Sequence, residues 1–134
     1  MSVEENKAIV RRWFDALNQD RPEVADQLYS PDFENGRGPA FAKDVHRDVR
    51  TAFPDYVVTV DDWIAEGDKV VTRWTLHGTH RDMLWGMPAS GKQVTWTGIT
   101  IWRIADGKIV QAWQGTDDRR LLQPGETSPE QSNT

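Results

Sequence analysis

The 134-residue chain contains no cysteine, which excludes disulfides and thiolate chemistry. It has no apolar run near the roughly 20 residues that a membrane-spanning helix needs, and no apolar segment of a secretory signal. Its net charge is −5, so it has no excess of positive charge to attract nucleic acid or an anionic membrane. We therefore expect a cytoplasmic protein with neither nucleic acid nor membrane as a partner.

Motifs for cofactors are missing as well. The chain has no glycine-rich phosphate loop and no serine nucleophile elbow. Its histidines, His46, His77 and His80, do not follow the spacing of a metal site. A strand that held His77 and His80 would place them on opposite faces. We expect no metal and no cofactor.

Aromatic residues are abundant by contrast. Seven Trp, four Phe and two Tyr supply a large apolar area for a hydrophobic core. The length fits one domain, which we place at residues 1–123. Residues 124–134 are polar and rich in Pro and Ser, and we expect a disordered tail there.

The first half of the chain has helical patterns. Ser2 and Glu5 form a capping-box signature ahead of an apolar stripe, which predicts a helix over residues 2–19. Pro22 suits the first turn of a short second helix, and residues 40–52 predict a third. The segment from residue 30 to residue 39 is predicted to be a loop.

The second half has strand patterns. Alternation predicts strands over residues 56–64 and 69–79, joined by a turn at Gly67-Asp68. A long hairpin is predicted over residues 91–118, because Asp106-Gly107 between two β-branched and aromatic runs is a strong hairpin signal. Helices followed by antiparallel strands indicate the α+β class.

Several segments, in order along the chain, carry a family resemblance. They are Glu5-Asn6-Lys7 with Arg12-Trp13-Phe14, LYSPDF at 28–33, AFPD at 52–55, AEGD at 65–68, Arg73-Trp74-Thr75 with Gly78-Thr79-His80, and DGKIV at 106–110 before Trp113. The ordered set resembles the SnoaL-like polyketide cyclase family, within the nuclear-transport-factor-2-like superfamily. The resemblance implies a cone-shaped α+β barrel, with N-terminal helices packed on a curved, mostly antiparallel sheet around one deep pocket. It also implies cofactor-independent acid–base chemistry on a small hydrophobic substrate.

One departure from the family affects the chemistry. The cyclases place a His and an Asp on the last strand, at positions that match Ala112 and Gln114 here. Glutamine has no titratable proton and cannot act as the general acid or base that this Asp provides. The aldol-cyclase mechanism therefore does not carry over, and Gln114 is expected to orient a substrate.

Strand alternation divides the first strand pair into two faces. With a two-residue turn at Gly67-Asp68, Asp62 pairs with Arg73 and Val60 pairs with Thr75. We expect one face to line the pocket, with Asp62 as acid or base and Arg73 beside it. This face, on which Tyr56 and Thr75 are the expected substrate contacts, comprises Tyr56, Val58, Val60, Asp62, Ile64, Val71, Arg73, Thr75 and His77. An exposed ion pair on the outside of the sheet is the alternative.

The predicted hairpin supplies a second row of pocket residues. If Gln114 points inward, the inward row is Trp96, Gly98, Thr100, Trp102, Val110, Ala112, Gln114 and Thr116. Trp96, Thr100 and Trp102 are expected substrate contacts, together with Trp13 from the first helix. For the tryptophans, packing in the core is the alternative.

The remaining candidates lie in loops or at a strand end. His80 titrates near neutral pH, and it is a candidate acid or base or else a side chain that fixes its loop. Asp117 ends the last strand and is a further candidate acid or base, or a structural cap. Asn35 above the pocket and Met87 at its mouth are expected to contact the substrate.

Three functions stay open. The first is an enzyme of secondary metabolism that cyclises or isomerises a polyketide- or terpenoid-like compound. The second is a non-catalytic module that binds a small molecule, consistent with the loss of the cyclase Asp and His. The third is an association domain. In each case the outward Trp63, Trp74 and Trp113 predict a homodimer through that face of the sheet.

Overall fold

A computed structural model describes residues 2–118, and the predicted tail at 124–134 lies outside the described residues. The helical elements are α1 (Val3–Asn18), a 3₁₀ turn (Pro22–Val24), α2 (Ala25–Leu28), α3 (Phe33–Gly36) and α4 (Pro39–Ala52). The strands are β1 (Val57–Glu66), β2 (Lys69–Thr79), β3 (Gln93–Ala105) and β4 (Lys108–Thr116). They form an antiparallel sheet in the order β1-β2-β3-β4, with the helices packed on it. The α+β prediction is confirmed. No helix within residues 2–118 is long and apolar enough to cross a membrane.

Helix α1 begins and ends with identifiable caps. The Ser2 hydroxyl accepts from the Glu5 amide, and the Glu5 carboxylate accepts from the Ser2 amide, so the predicted capping box is present. At the other end, Arg21 N donates to Ala16 O and Asp20 N donates to Leu17 O, which is the Schellman arrangement. Asp20 occupies the left-handed position of this motif with φ 54°.

The segment predicted as a loop over residues 30–39 contains the short helix α3, so that prediction is wrong in part. Glu34 and Asn35 have φ values of 52° and 58°, which breaks the regular helical geometry inside α3. Ser30 N donates to Ile109 O at 2.9 Å and attaches this segment to the start of β4. The helical layer is thereby fixed to the edge strand of the sheet.

The predicted hairpin is confirmed. Asp106 and Gly107 have φ values of 52° and 75°, and a type I′ turn requires positive φ at both central residues. This turn joins β3 to β4, and Ala105 pairs with Lys108 across it. Local turn chemistry therefore determines where this part of the sheet folds back.

A β-bulge at Asp61 changes which side chains of β1 face the helices. Asp62 pairs with Arg73 as predicted, but Val60 pairs with Trp74 and not with Thr75. The extra residue in β1 shifts the alternation, because successive side chains point to opposite faces. Side chains before the bulge, such as Val58, point toward the helices as predicted. Those after it, such as Asp62, were predicted to point inward and point outward instead.

The reversal places two tryptophans inside that were predicted outside. Trp74 is buried, and Trp63 is partly buried with its ring centroid 6.2 Å from that of Phe14. Gly98 on β3 gives the Trp74 indole its space, since a Cβ atom at position 98 would lie 2.3 Å from Trp74 Cζ2. Trp113, the third member of the predicted outward set, is 44% exposed.

Candidate functional site

A cavity of about 170 Å³ lies between the helices and the inner face of the sheet. Its lining is mainly aromatic and aliphatic. The lining residues are Trp13, Phe14, Leu17, Tyr29, Phe33, Ala42, Val45, His46, Val49, Tyr56, Val58, Trp74, Leu76, Trp85, Trp96, Thr100, Trp102, Ala112 and Gln114. An apolar cavity with a few convergent polar groups is the usual form of a small-molecule site.

Six of the predicted substrate contacts line this cavity. They are Trp13, Tyr56, Trp96, Thr100, Trp102 and Gln114. Helix periodicity brings Trp13 to the site, and the alternation of β3 and β4 brings the hairpin residues. The structure therefore brings together side chains from the first helix, the connection into β1 and the last hairpin.

Asp62, Arg73 and Thr75 do not face the cavity, so their predicted orientation is wrong. They lie on the outer face of the sheet because of the bulge at Asp61. Arg73 Nε donates to Asp62 Oδ2 at 2.7 Å, and the Thr75 hydroxyl donates to Asp61 Oδ2 at 2.6 Å. The hydrogen bond and charge of Asp62 raise the pKa of Arg73 above its ordinary value. This is the exposed ion pair that the sequence left as the alternative.

His80 is buried in the core and is absent from the cavity lining, so its predicted place at the rim is wrong. Its ring stacks on Phe53 with a centroid distance of 4.8 Å. Its backbone accepts from Gly91 N and donates to Lys92 O, which fixes the loop after β2. Both ring nitrogens are buried and have no hydrogen-bond partner among the described residues, so the predicted side-chain hydrogen bond that would fix the loop is not formed. The backbone of His80 holds the loop instead.

Three further predicted site residues also lie away from the lining. Asn35 is exposed on α3, and Met87 packs partly buried against the core. The backbone amide of Asp117 donates to Thr97 O at 2.9 Å. The neighbouring Asp118 is the one whose carboxylate accepts from the Trp96 indole, at 3.2 Å.

The mouth of the cavity is marked by Trp85, which lines it and is 55% exposed. Trp85 has φ 45° at the tip of a turn in which Leu84 pairs with Met87. Its indole donates to Asp48 Oδ2 on α4 at 3.2 Å, and its ring lies 6.3 Å from that of Trp96. A buried Leu84 thus anchors a turn that holds an indole over the entrance.

The sheet side of the cavity carries a chain of hydrogen bonds that ends at Gln114. Trp74 Nε1 donates to Thr100 Oγ1 at 3.0 Å, and Thr100 Oγ1 donates to Gln114 Oε1 at 2.8 Å. An indole N–H is a donor only, so the Thr100 hydroxyl accepts from it and uses its own proton for Gln114. This arrangement orients the Gln114 amide with its oxygen toward Thr100 and leaves its NH₂ group available.

The helix side carries a different polar cluster, formed by Asp20, His46 and Tyr56. His46 Nδ1 lies 2.9 Å from Tyr56 Oη, and His46 Nε2 lies 2.7 Å from Asp20 Oδ1. His46 and Tyr56 are both buried and both line the cavity. Burial raises the pKa of Tyr56 far above its ordinary value, Asp20 raises it further, and Arg50 opposes the rise.

Arg50 holds the Tyr56 ring from the other side. Its guanidinium carbon lies 3.6 Å from the ring centroid, and its Nη1 donates to Tyr56 O at 3.0 Å. Nη2 also donates to Leu17 O at the end of α1. The cation therefore connects α4, α1 and the start of β1 around the phenol.

Sequence reasoning missed His46 and Asp20. The signal for His46 was its place on the apolar face of α4, since Ala42, His46 and Val49 share helical spacing and are all buried. Asp20 had only a weak signal, as an acidic residue directly after a helix where Gly is favoured. Within residues 2–118, no group of three or more acidic, His or Cys side chains is arranged to hold a metal ion.

The family model for SnoaL-like polyketide cyclases matches residues 7–124. The chain belongs to this family. None of the curated proteins compared with the chain matches it.

Solved structures of similar fold include three from Streptomyces. AclR from Streptomyces galilaeus, a proposed hydroxylase, is 29% identical over 90% of this chain and 95% of that chain, with a TM-score of 0.79. TsrD from Streptomyces laurentii is 27% identical over 90% and 97% of the two chains, with a TM-score of 0.81. IdmH from Streptomyces antibioticus, a proposed polyketide cyclase, is 26% identical over 87% and 95%, with a TM-score of 0.75. Family and neighbours support a cyclase-like role for this SnoaL-like protein.

Proposed function

We propose that this chain is a cofactor-independent enzyme that cyclises or isomerises a small hydrophobic, polyketide- or terpenoid-like compound. The observation that carries the proposal is the aromatic cavity with polar groups on two of its sides, Gln114 on one and His46 with Tyr56 on the other. Binding in such a cavity removes a substrate from water, which strengthens its interactions with the few polar groups present. Membership of the cyclase family supports the same chemistry.

The size of the cavity limits the substrate. A cavity of roughly 150 Å³ holds one benzene molecule, and pockets for drug-sized ligands begin at about 300 Å³. At about 170 Å³, this cavity accepts a compound of one or two rings. A larger compound requires the wall near Trp85 to move outward.

Gln114 is proposed to hold a substrate carbonyl. Its oxygen already accepts from Thr100, and its Nε2 group donates no hydrogen bond to any of the described residues. A carbonyl oxygen accepts but does not donate, so it is the complement of this amide. The position that carries the proton-transferring Asp in cyclases is thereby used for orientation.

Isothermal titration calorimetry with 1-tetralone and tetralin tests this substrate contact, because the two bicyclic ligands differ in one carbonyl. One net hydrogen bond of about 0.5–1.5 kcal/mol gives the ketone an affinity about 2- to 12-fold higher. Gln114→Glu keeps an acceptor for Thr100 but removes the donor, and Gln114→Met removes both without adding charge. Both variants should bind the two ligands equally. Gln111→Glu, on the outward side of β4, is the control that should keep the preference.

A non-catalytic binding module is the second candidate function. It is favoured by the replacement of the cyclase His and Asp by Ala112 and Gln114, since the strand residues at the cavity then contain no titratable group. Incubation with bicyclic aromatic ketones, followed by mass spectrometry and NMR of the products, separates the two functions. Ligand binding without conversion of any compound would favour the binding module, whereas conversion abolished by heat denaturation would favour the enzyme.

A further inference from the structure

Asp20, His46 and Tyr56 form a continuous hydrogen-bonded path from the cavity to solvent. The two inner members line the cavity and are each 3% exposed. The outer member, Asp20, has a side chain that is 60% exposed. Hydrogen bonds of 2.9 Å and 2.7 Å connect the three groups. A proton released in an apolar cavity can thus reach water without a charged side chain facing the substrate.

The chemistry of the three groups gives the path a direction. A carboxylate only accepts, so His46 Nε2 carries the hydrogen that is donated to Asp20. His46 Nδ1 is then the acceptor, and the Tyr56 hydroxyl donates to it. The lone pairs of Tyr56 Oη are left to accept a proton from a molecule in the cavity. This is the arrangement in which a hydroxyl, an imidazole and an orienting carboxylate act together.

We propose that Tyr56 is a catalytic residue that takes a proton from the substrate while it passes its own proton to His46, with Asp20 as a positioning residue. In this step a substrate C–H or O–H bond breaks and a new Tyr56 Oη–H bond forms. The original Oη–H bond breaks and a His46 Nδ1–H bond forms, so the phenol stays neutral. The electron pair remains on the substrate, and the imidazolium lies against the Asp20 carboxylate. The inference rests on the proposed function, because it supplies the acid–base group that Gln114 cannot.

The backbone at Asp20 supports a dedicated role for its carboxylate. Asp20 occupies the C′ position of the Schellman motif of α1, with φ 54°. Gly is the usual residue there because a left-handed backbone strains other side chains. An Asp in this position brings a carboxylate to His46, which a Gly would not. Strain of this kind is found where a side chain has a function.

Arg50 supports the same step by holding the phenol. Its guanidinium covers the Tyr56 ring and also lies 3.9 Å from Asp20 Oδ1. Asp20 and Arg50 are thus the charged groups that face the path, one from the end of α1 and one from α4. A cation beside the ring stabilises negative charge that develops on Tyr56 Oη as the proton moves.

The test uses 5-nitrobenzisoxazole, a bicyclic compound that opens when a base removes its C3 proton. The C3–H electrons form the nitrile and the N–O bond breaks, so that one coloured product carries both the nitrile and the phenolate. The wild type should open it faster than free imidazole at equal concentration and pH. Tyr56→Phe and His46→Gln should each lower kcat by about 100-fold, the lower range for general acid–base catalysis, with KM changed less than about threefold.

The role of Asp20 is read from a pair of variants. Asp20→Gly removes the carboxylate but relieves the strained backbone, so it should lower kcat while the urea midpoint stays equal or rises. Asp20→Glu should recover part of the rate. His77→Gln and Asp62→Asn, on the outer face of the sheet, are matched controls that should leave kcat within about twofold, because surface changes there do not reach the cavity.

The proposed proton transfer through Tyr56 and His46 is overturned by a wild-type rate no higher than that of imidazole. It is also overturned by a Tyr56→Phe variant that keeps the wild-type rate. Mixtures of H₂O and D₂O label the Tyr56 hydroxyl but not the C3 hydrogen of the substrate. The wild-type rate in such mixtures should therefore show one exchangeable proton in motion, and that of Tyr56→Phe should show none. The tetralone preference of Gln114 does not depend on this step. If the proton transfer fails but the ketone preference and product formation are retained, the proposed function stands and only the role of Tyr56 is rejected. If the proton transfer is observed but the ketone preference and product formation are absent, only the proposed function is rejected.

Discussion

The two faces of the sheet hold different kinds of polar side chain. On the outer face, charged side chains pair with one another, as Arg73 does with Asp62 at 2.7 Å. On the inner face, the strand residues that line the cavity contain no titratable group. Their polar atoms belong to indole, hydroxyl and amide groups, such as Trp74, Thr100 and Gln114. The titratable side chains that line the cavity, Tyr29, His46 and Tyr56, all come from outside the strands.

The difference follows from the cost of burying charge. A buried ion without a partner is strongly unfavourable, whereas a buried hydroxyl or indole needs only one hydrogen bond. The helical side meets this condition by leaving the carboxylate of Asp20 largely in solvent and by giving the largely buried guanidinium of Arg50 two backbone carbonyls and the Tyr56 ring as partners. In the proposed mechanism, the two sides of the cavity divide the work between orientation and proton transfer.

The two faces should differ most in how much their tryptophans contribute to the free energy of unfolding. Trp74→Ala should lower the free energy of unfolding by about 3–5 kcal/mol, because it empties buried volume and removes the donor to Thr100. Trp113→Ala, on the outer face, should lower it by less than about 1 kcal/mol. Urea unfolding at low micromolar concentration measures both. Equal losses would contradict the assignment of Trp74 to the inner face.

A smaller effect concerns association through the outer face. We propose a homodimer through this face, since Ile64, Ile99 and Trp113 are exposed on it, at 65%, 50% and 44%. Trp63 and Trp74 no longer belong to the patch. Trp113→Glu should shift the protein toward monomer in sedimentation equilibrium, and Lys69→Glu at the start of β2 should not. A wild type that is still monomeric at about 100 µM would reject the dimer, since association increases with concentration.

The smallest expected effect is on the pH dependence of stability, at the joint between the two sides of the cavity. Hydrogen bonds from the Thr79 amide and hydroxyl lower the pKa of Asp55 from its ordinary value of 3.8. The stabilisation is therefore present above that value and is lost as the pH falls through the lower, folded-state pKa.

Asp55→Asn tests this contribution. The variant should have a slightly lower urea midpoint than the wild type near neutral pH. The difference between the two midpoints should narrow as the pH falls below the ordinary pKa of an aspartate. Asp55 is exposed, so the shift will be small. Thr79→Val, which keeps the amide donor and removes only the hydroxyl, should show the same narrowing with a smaller amplitude. A constant difference at all pH values would contradict the assignment.

Much of the fold was predictable because its determinants are local. The capping box at Ser2 and Glu5 defines the start of α1, and Asp106-Gly107 defines the last turn through its left-handed backbone. The inward row of β3 followed from simple alternation, since no bulge interrupts that strand where it pairs with β2. Each of these features depends on residues only a few positions apart.

The candidate site was predictable in part, and most completely on the side of the sheet. Trp96, Thr100, Trp102 and Gln114 were placed correctly, because they share one hairpin and one parity. Asp62 was not, because a bulge adds one residue to β1 and no residue type near Asp61 signals it. One extra residue was enough to move the preferred acid–base candidate from the cavity to solvent.

The sequence by itself determined the two long helices α1 and α4, the strands, the hairpin turn at Asp106-Gly107 and the absence of a titratable group at Gln114. Only the tertiary structure brought Asp20, His46 and Tyr56 together, from the end of α1, the middle of α4 and the entry to β1. Contacts between residues 10 and 26 positions apart depend on how whole elements pack, which local patterns do not encode. Tyr56 and Gln114 were visible in the chain as pocket residues, whereas the contact of Tyr56 with His46 and Asp20 appeared only in the fold.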